Sequence, residues 1–142
     1  MLTRIDHVGI AVVSLDAALE RYRETFGLNV VAIETNAEQG VREAMLQLDG
    51  GDATTSASYI QLLEPLADDT PVGRFLARRG EGLHHVGYAV ADVASELETL
   101  AQQGIELIDQ RPRHGSMGAS IAFLHPRGLH GVLTELVQAA RG

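Results

Sequence analysis

Two histidines stand in nearly identical surroundings. Asp6-His7-Val8-Gly9-Ile10-Ala11-Val12 is matched later in the chain by His84-His85-Val86-Gly87-Tyr88-Ala89-Val90. In a strand, successive side chains point to opposite faces, so each copy puts His, Gly and Ala on one face and the larger apolar residues on the other. An imidazole above residues with almost no side chain faces open space. Gln61, between Ile60 and Leu62, and Glu135, between Thr134 and Leu136, have the same inward phase in later strands. Two imidazole nitrogens, an amide oxygen and a carboxylate oxygen form a borderline-to-hard donor set that suits Co²⁺, Mn²⁺, Ni²⁺ or Zn²⁺. With no thiolate available, a closed structural zinc site is not expected. A lone strand histidine is more often simply hydrogen-bonded, and a lone glutamate near a C-terminus is usually solvated. Equivalent placement in two copies makes the four residues a set. His84 aligns with Asp6, and both are read as framing residues beside the ligand histidines. Glu64, before Pro65, is read as a structural residue at a strand end.

The elements that must position these side chains repeat. After the first strand, Ser14 is an N-cap, and Leu15, Ala18, Leu19, Tyr22 and Phe26 recur at helical spacing up to Gly27. Strands are expected at 28–33, 41–48 and 59–63, with a loop over 35–40 and a turn or loop from Gly50-Gly51 through the Thr/Ser-rich run to Ser58. Thr70-Pro71 opens a short connecting helix anchored by Phe75 and Leu76 and stopped by Gly80. The second half repeats the order: a strand at 84–90, Asp92 capping a helix with Gly104 as its C-cap, and strands at 105–108, 120–124 and 132–137, with a loop over 111–118. His7 and His85, Gly40 and Gly118, and Met45 and Phe123 are each 78 residues apart, whereas Gln61 and Glu135 differ by 74. A hairpin loop four residues shorter in the second half accounts for the difference. The expectation is one α+β domain of two βαβββ modules, about 1–66 and 82–142, joined by a helix at about 70–80 and forming a curved, mostly antiparallel sheet around a metal site.

Composition narrows the chemistry. The chain has 142 residues, no cysteine and a formal charge of −8, and its 11 basic residues are all arginine. Schiff-base chemistry on a lysine and attack by a thiolate are therefore excluded, and the acidic balance argues against a general nucleic-acid binder. No apolar span approaches the roughly 20 residues of a membrane helix, and Met1 leads directly into strand-like sequence. A soluble cytoplasmic protein without a membrane partner is expected. Arg74, Arg78, Arg79, Arg111 and Arg113 concentrate positive charge mid-chain, where guanidinium groups can hold phosphates.

One position breaks the repeat. Aligning the third strands pairs Ala44 with Ala122, Met45 with Phe123 and Leu46 with Leu124, but Glu43 with Ile121. A carboxylate among apolar groups has its pKa raised by desolvation toward the range of a general base. The alternative is an exposed strand glutamate beside Arg42.

The tandem βαβββ plan with paired ligands resembles the vicinal oxygen chelate superfamily, and more closely the methylmalonyl-CoA epimerases. The similarity lies in the Ile5–Val12 block, Glu38-Gln39-Gly40-Val41-Arg42-Glu43, Gln61-Leu62-Leu63-Glu64-Pro65, Gly80-Glu81-Gly82-Leu83-His84-His85, Phe123-Leu124-His125-Pro126 and the Gly131–Val137 block. The resemblance implies interconversion of the (2R) and (2S) epimers of methylmalonyl-CoA. His7, Gln61, His85 and Glu135 would hold one divalent ion, cobalt foremost, and Glu43 would act as acid/base. In that chemistry a Lewis acid stabilises the enolate formed when the α-proton leaves. It implies an acyl-CoA partner and a homodimer as well. Reprotonation from the opposite face needs a second donor, for which metal-bound water, Ser116, His114 and His125 are all candidates. The Gly115–Gly118 loop, with Ser116 and Gly118, is alternatively a set of backbone N–H donors to the substrate, and Arg78, Arg79 and Arg113 are candidate contacts for the coenzyme A phosphates. Rival readings are a glyoxalase-like lyase, an extradiol dioxygenase, an epimerase of a related 2-alkylmalonyl-CoA, and a metal-free small-molecule-binding module.

Overall fold

Ser14 opens the first helix as expected. Its hydroxyl accepts the Ala17 N–H at 3.2 Å, and α1 runs over Leu15–Phe26 to Gly27, which closes it in the left-handed conformation with φ +65°. A computed structural model describes residues 1–48 and 57–140, so the turn expected at Gly50-Gly51 and the Thr/Ser run lie outside the described residues. The described chain is α+β, in the order β1 (Arg4–Ala11), α1, β2 (Asn29–Asn36), β3 (Val41–Leu48), β4 (Ser58–Pro65), α2 (Pro71–Arg79), β5 (Gly82–Ala89), α3 (Val93–Gln102), β6 (Arg113–His114), β7 (Ser120–Leu124) and β8 (Thr134–Gln138). It divides into two compact units: His7–His84, and Met1–Asp6 together with the chain from His85 onward.

In the His7–His84 unit the strand order is β2-β3-β4-β1, with β1 parallel to β4 and the other pairings antiparallel. Its helix-side core is Val12, Leu15, Leu19, Ala44, Leu46 and Leu62, against which Ala18 and Tyr22 of α1 pack. The opposite face of the sheet carries His7, Gly9 and Ala11 of β1, Gln61 and Leu63 of β4, and Val41, Glu43 and Met45 of β3. Helix α2 closes one end of that face by packing Val72, with Phe75 and Leu76, on Ala11, Val41 and Leu63. Thr70 caps α2 by accepting from Gly73 N at 3.1 Å. Gly40 makes the β2–β3 turn with φ +72°, and a Cβ there would meet Thr70 Cγ2 at 2.6 Å.

The other unit repeats the plan as β5-β8-β7-β6, with β5 parallel to β8. Val90, Val93, Leu97, Ala122, Leu124 and Leu136 form its helix-side core. Asp92 caps α3 through Ser95 N at 3.1 Å. The repeat extends to polar detail: Glu64 at the end of β4 accepts the Leu15 N–H at 2.9 Å, and Gln138, 74 residues on at the end of β8, accepts the Val93 N–H at 2.9 Å. Each last strand thus caps its own unit's helix, which gives Glu64 the strand-end role expected of it.

Three expectations are corrected. Strand β2 continues to Asn36 rather than ending at Ile33, which brings Glu34 into the sheet. No strand forms over 105–108; only Leu107 bridges to Leu124, and a two-residue β6 follows at Arg113–His114, inside the expected loop. Proline has no N–H for a ladder, and Pro112 sits where the first module has Glu34. Gly104 lies one residue beyond the cap of α3: Gln103 takes the cap position, and Gly104 then turns left-handed with φ +80°.

His84 lies half-buried with its ring edge-on to Phe75, centroids 5.0 Å apart, and burial lowers its pKa from 6.5 to about 4. Between those values the unfolded chain binds the proton that the folded chain refuses, so stability falls as pH falls from 6.5 toward 4. Urea unfolding at pH 7 and pH 5 should show His84→Phe losing about 1–3 kcal/mol less over that drop than the wild type; parallel losses would contradict the assignment.

Candidate functional site

His7, Glu43, Gln61, His85 and Glu135 are each 5% exposed or less, the usual environment of core apolar residues. Burying polar groups this deeply is costly unless each meets a partner or an ion. In the His7–His84 unit, parallel pairing sets Gly9 opposite Gln61, and antiparallel pairing sets Met45 opposite Gln61 and Glu43 opposite Leu63. Residues opposite each other share a face, so His7, Gln61 and Glu43 project from one side of three adjacent strands. Gln61 Nε2 donates to Glu43 Oε2 at 3.0 Å, which fixes the carboxylate. The carbonyl oxygen of the same amide, Oε1, is buried and accepts no hydrogen bond. One amide therefore directs its N–H at the candidate base and its oxygen elsewhere.

The other unit carries the second pair of expected ligands. Gly87 pairs opposite Glu135 as Gly9 does opposite Gln61. His85 Nε2 lies 3.7 Å from Glu135 Oε1, too far for a good hydrogen bond but a separation that two donors each about 2.1 Å from a shared ion span readily. The ring of Phe123 stands edge-on to His85, with centroids 5.3 Å apart at 85°. At the position that repeats Glu43, Ile121 is buried with Ala119 and Val137. The donor chemistry, imidazole with carboxylate here and imidazole with an amide oxygen in the other unit, fits a divalent ion of borderline hardness.

The remaining expected residues have varied surroundings. Ser116 and Gly118 bound a tight turn in which Met117 takes φ +55° and Gly115 N donates to Ala119 O at 2.9 Å. Gly115 is required there, since a Cβ would fall 2.5 Å from Ile121 Cγ2. His125 Nδ1 accepts the Arg127 N–H at 3.0 Å, so its imidazole is engaged in a turn cap, and His114 lies exposed on β6. Arg78 and Arg79 are exposed on the last turn of α2, Arg79 lying over the Phe75 ring, while Arg113 is ion-paired with Asp109 at 3.1 Å. Asp6 is held by Arg4 at 3.4 Å.

Glu34 escaped the reading of the sequence. It lies directly across from Glu43 in the β2–β3 ladder, half-buried on the same face. The period-two pattern through Ala32, Glu34 and Asn36 is the signal that would have found it, had β2 not been ended at Ile33.

Removing the Gln61 donor with Gln61→Leu should destabilise the protein by about 1–3 kcal/mol at pH 7. A second change, Glu43→Leu, should return much of that loss, because the buried carboxylate goes with it. Chemical denaturation of the two variants checks this, and purely additive losses would argue against the pairing.

A family model described as the glyoxalase/bleomycin resistance protein/dioxygenase superfamily matches residues 6–123. Among curated relatives, the ethylmalonyl-CoA/methylmalonyl-CoA epimerase of Cereibacter sphaeroides is 34% identical over 140 residues, covering 97% of this chain and 99% of that protein. Among solved structures, a methylmalonyl-CoA epimerase in complex with methylmalonyl-CoA and NH4+ is 51% identical with a TM-score of 0.94, covering 99% of this chain and 96% of that one. A single-residue variant of the Streptomyces coelicolor methylmalonyl-CoA epimerase in complex with 2-nitronate-propionyl-CoA is 50% identical, also with a TM-score of 0.94, over 99% of this chain and 96% of that one.

Proposed function

The chain belongs to the glyoxalase/bleomycin resistance protein/dioxygenase superfamily and, within it, to the methylmalonyl-CoA epimerases, and from that premise we propose that it interconverts the (2R) and (2S) epimers of methylmalonyl-CoA. The observation that carries the reading is Glu43, a carboxylate buried on the site face and hydrogen-bonded by Gln61, at a position whose repeat counterpart is isoleucine. The C2 hydrogen of a malonyl thioester is acidified by the thioester carbonyl, and a carboxylate beside it can take the proton while charge moves to the thioester oxygen. Return of a proton to the opposite face gives the other epimer. The donor set of His7, Gln61, His85 and Glu135 supports their service as ligands of one divalent ion, cobalt foremost. Such an ion, when bound, supplies Lewis-acid stabilisation of charge on the thioester oxygen. In this reading Gln61 has two tasks, offering its oxygen to the ion and its N–H to Glu43.

The two βαβββ modules are read as one domain, with Ser116 and Gly118 near the acyl group and Arg78, Arg79 and Arg113 toward the coenzyme A phosphates. The Asp109 pairing leaves Arg113 the least available of these arginines. Strand β2, at an edge of its sheet, exposes Val31 and Ile33, which supports a homodimer. Among the described residues no helix is long and apolar enough to cross a membrane, and the lack of cysteine agrees with a cytoplasmic site. The naming of the Cereibacter sphaeroides relative for both ethylmalonyl-CoA and methylmalonyl-CoA favours a second reading, in which larger 2-alkyl groups are accepted as well.

The test follows deuterium entry at C2 of methylmalonyl-CoA in D₂O. Wild type should exchange, chelator should suppress exchange and added Co²⁺ restore it, and Glu43→Gln should slow it by a factor of about 10² or more. Glu34→Gln should stay within about tenfold of wild type, because the Gln61 N–H is directed at Glu43. Exchange that persists at full rate in Glu43→Gln would refute Glu43 as the base.

A further inference from the structure

The backbone of Phe123 is held by a side chain where the other unit uses a strand. Ile108 N and Asp109 N both donate to Phe123 O, at 3.0 and 3.1 Å, so two residues oppose one, as in a β-bulge. Phe123 N donates in turn to Asp109 Oδ2 at 2.9 Å, while Asp109 Oδ1 accepts Arg113 Nη1 at 3.1 Å. The Asp109 carboxylate, its side chain 10% exposed, therefore completes the outer edge of β7 at the point where Pro112 and the bulge end the ladder.

The repeat shows what is particular about this carboxylate. Position 109 corresponds to position 31, 78 residues earlier, and Val31 lies at the register shift of the β2–β3 ladder. Each unit bulges in this region, the second unit one residue earlier: Val31 lies between the Val30–Leu46 and Ala32–Met45 pairs, whereas Ile108 and Asp109 share Phe123 next to the Leu107–Leu124 bridge. In one unit an exposed valine occupies position 31; in the other the residue 78 positions on is an aspartate that grips Phe123. A bulge alone does not call for a carboxylate.

Phe123 is well placed to transmit that grip. On its inner side it pairs with Glu135. Because its own N–H and C=O both point outward to 108–109, the pair is of the non-hydrogen-bonded kind, in which side chains lie closest. Its ring stands edge-on to the imidazole of His85, 5.3 Å between centroids. A shift of the Phe123 backbone would move the wall that orients one candidate ligand and lies beside another. We propose that Asp109 is a positioning residue: by holding the Phe123 backbone, it sets the aromatic edge that orients His85 for metal binding. The proposal rests on the reading of His85 as a ligand.

The test combines cobalt titration of the metal-free full-length protein with the ring ¹H–¹⁵N resonances of His85 in the same protein. Asp109→Ala should weaken Co²⁺ binding by about tenfold or more, alter the visible spectrum of bound cobalt and shift the His85 ring signals. Asp109→Asn keeps an acceptor for the Phe123 N–H and should stay near wild type, as should Arg113→Gln, which leaves the Asp109 carboxylate on the Phe123 N–H. Phe123→Leu should weaken cobalt binding by itself, and in that background Asp109→Ala should add little, because the aspartate acts through the ring. Wild-type affinity, cobalt spectrum and His85 signals in Asp109→Ala would overturn the proposal, whatever its thermal stability. So would full additivity of the two changes. If Asp109→Ala does not fold, the proposal is decided by Phe123→Leu: unchanged cobalt affinity and unchanged His85 signals in that variant would overturn it. A wild-type protein that takes up no cobalt would refute the ligand reading instead, and the His85 resonances of the variants would still decide whether Asp109 orients the ring.

Discussion

A carboxylate withdrawn from water must meet a donor or a cation, and this chain withdraws Glu43 and Glu135 almost completely. Much of the fold can be understood as arrangements that make this tolerable. Glu43 is met by the amide of Gln61 at 3.0 Å. Glu135 lies 3.7 Å from His85, close enough to share an ion and too far to be satisfied by the imidazole alone. Gly9 and Gly87 pair opposite Gln61 and Glu135 and add no side chain beside them.

Duplication supplies that solution twice, and the departures from it carry the specialisation. The capping of each unit's helix by its last strand, through Glu64 and Gln138, is preserved. Among the positions that depart from the repeat are three where only one unit carries a carboxylate. Glu43 corresponds to Ile121, Glu34 to Pro112, and Val31 to Asp109. The first two concentrate acid on the His7–His84 unit. The third places a carboxylate in the other unit's backbone scaffold instead of on its open face. In the function proposed, the first unit would handle the proton and the second would hold its ligands still.

The parts of this plan legible in the sequence were those encoded locally. Ser14, Thr70 and Asp92 announce their helices through side-chain capping, and the limits of β3 and β7 follow from alternation alone. The inward phase of His7, Gln61, His85 and Glu135 follows from strand period and the offset between repeats. Interactions between neighbouring strands were hidden. Strand β2 runs past Ile33 because β3 offers partners out to Val41, so Glu34 faces Glu43 through a pairing that neither segment declares by itself. The broken strand at 105–108 looks like its counterpart in apolar pattern, and only the bulge at Asp109 with Pro112 beyond it stops the ladder. Asp109 itself reads as an ordinary loop aspartate until Phe123 is placed against it.

We propose that His7, Gln61, His85 and Glu135 furnish one ion with four ligands and that Glu43 serves beside it as an acid/base. Anomalous diffraction from crystals of the cobalt-loaded protein tests this most directly. The account predicts one cobalt per chain, bound by His7, Gln61, His85 and Glu135, with Glu43 outside the coordination sphere. A cobalt held by residues of one unit only, or by Glu43 in place of Gln61, would contradict it.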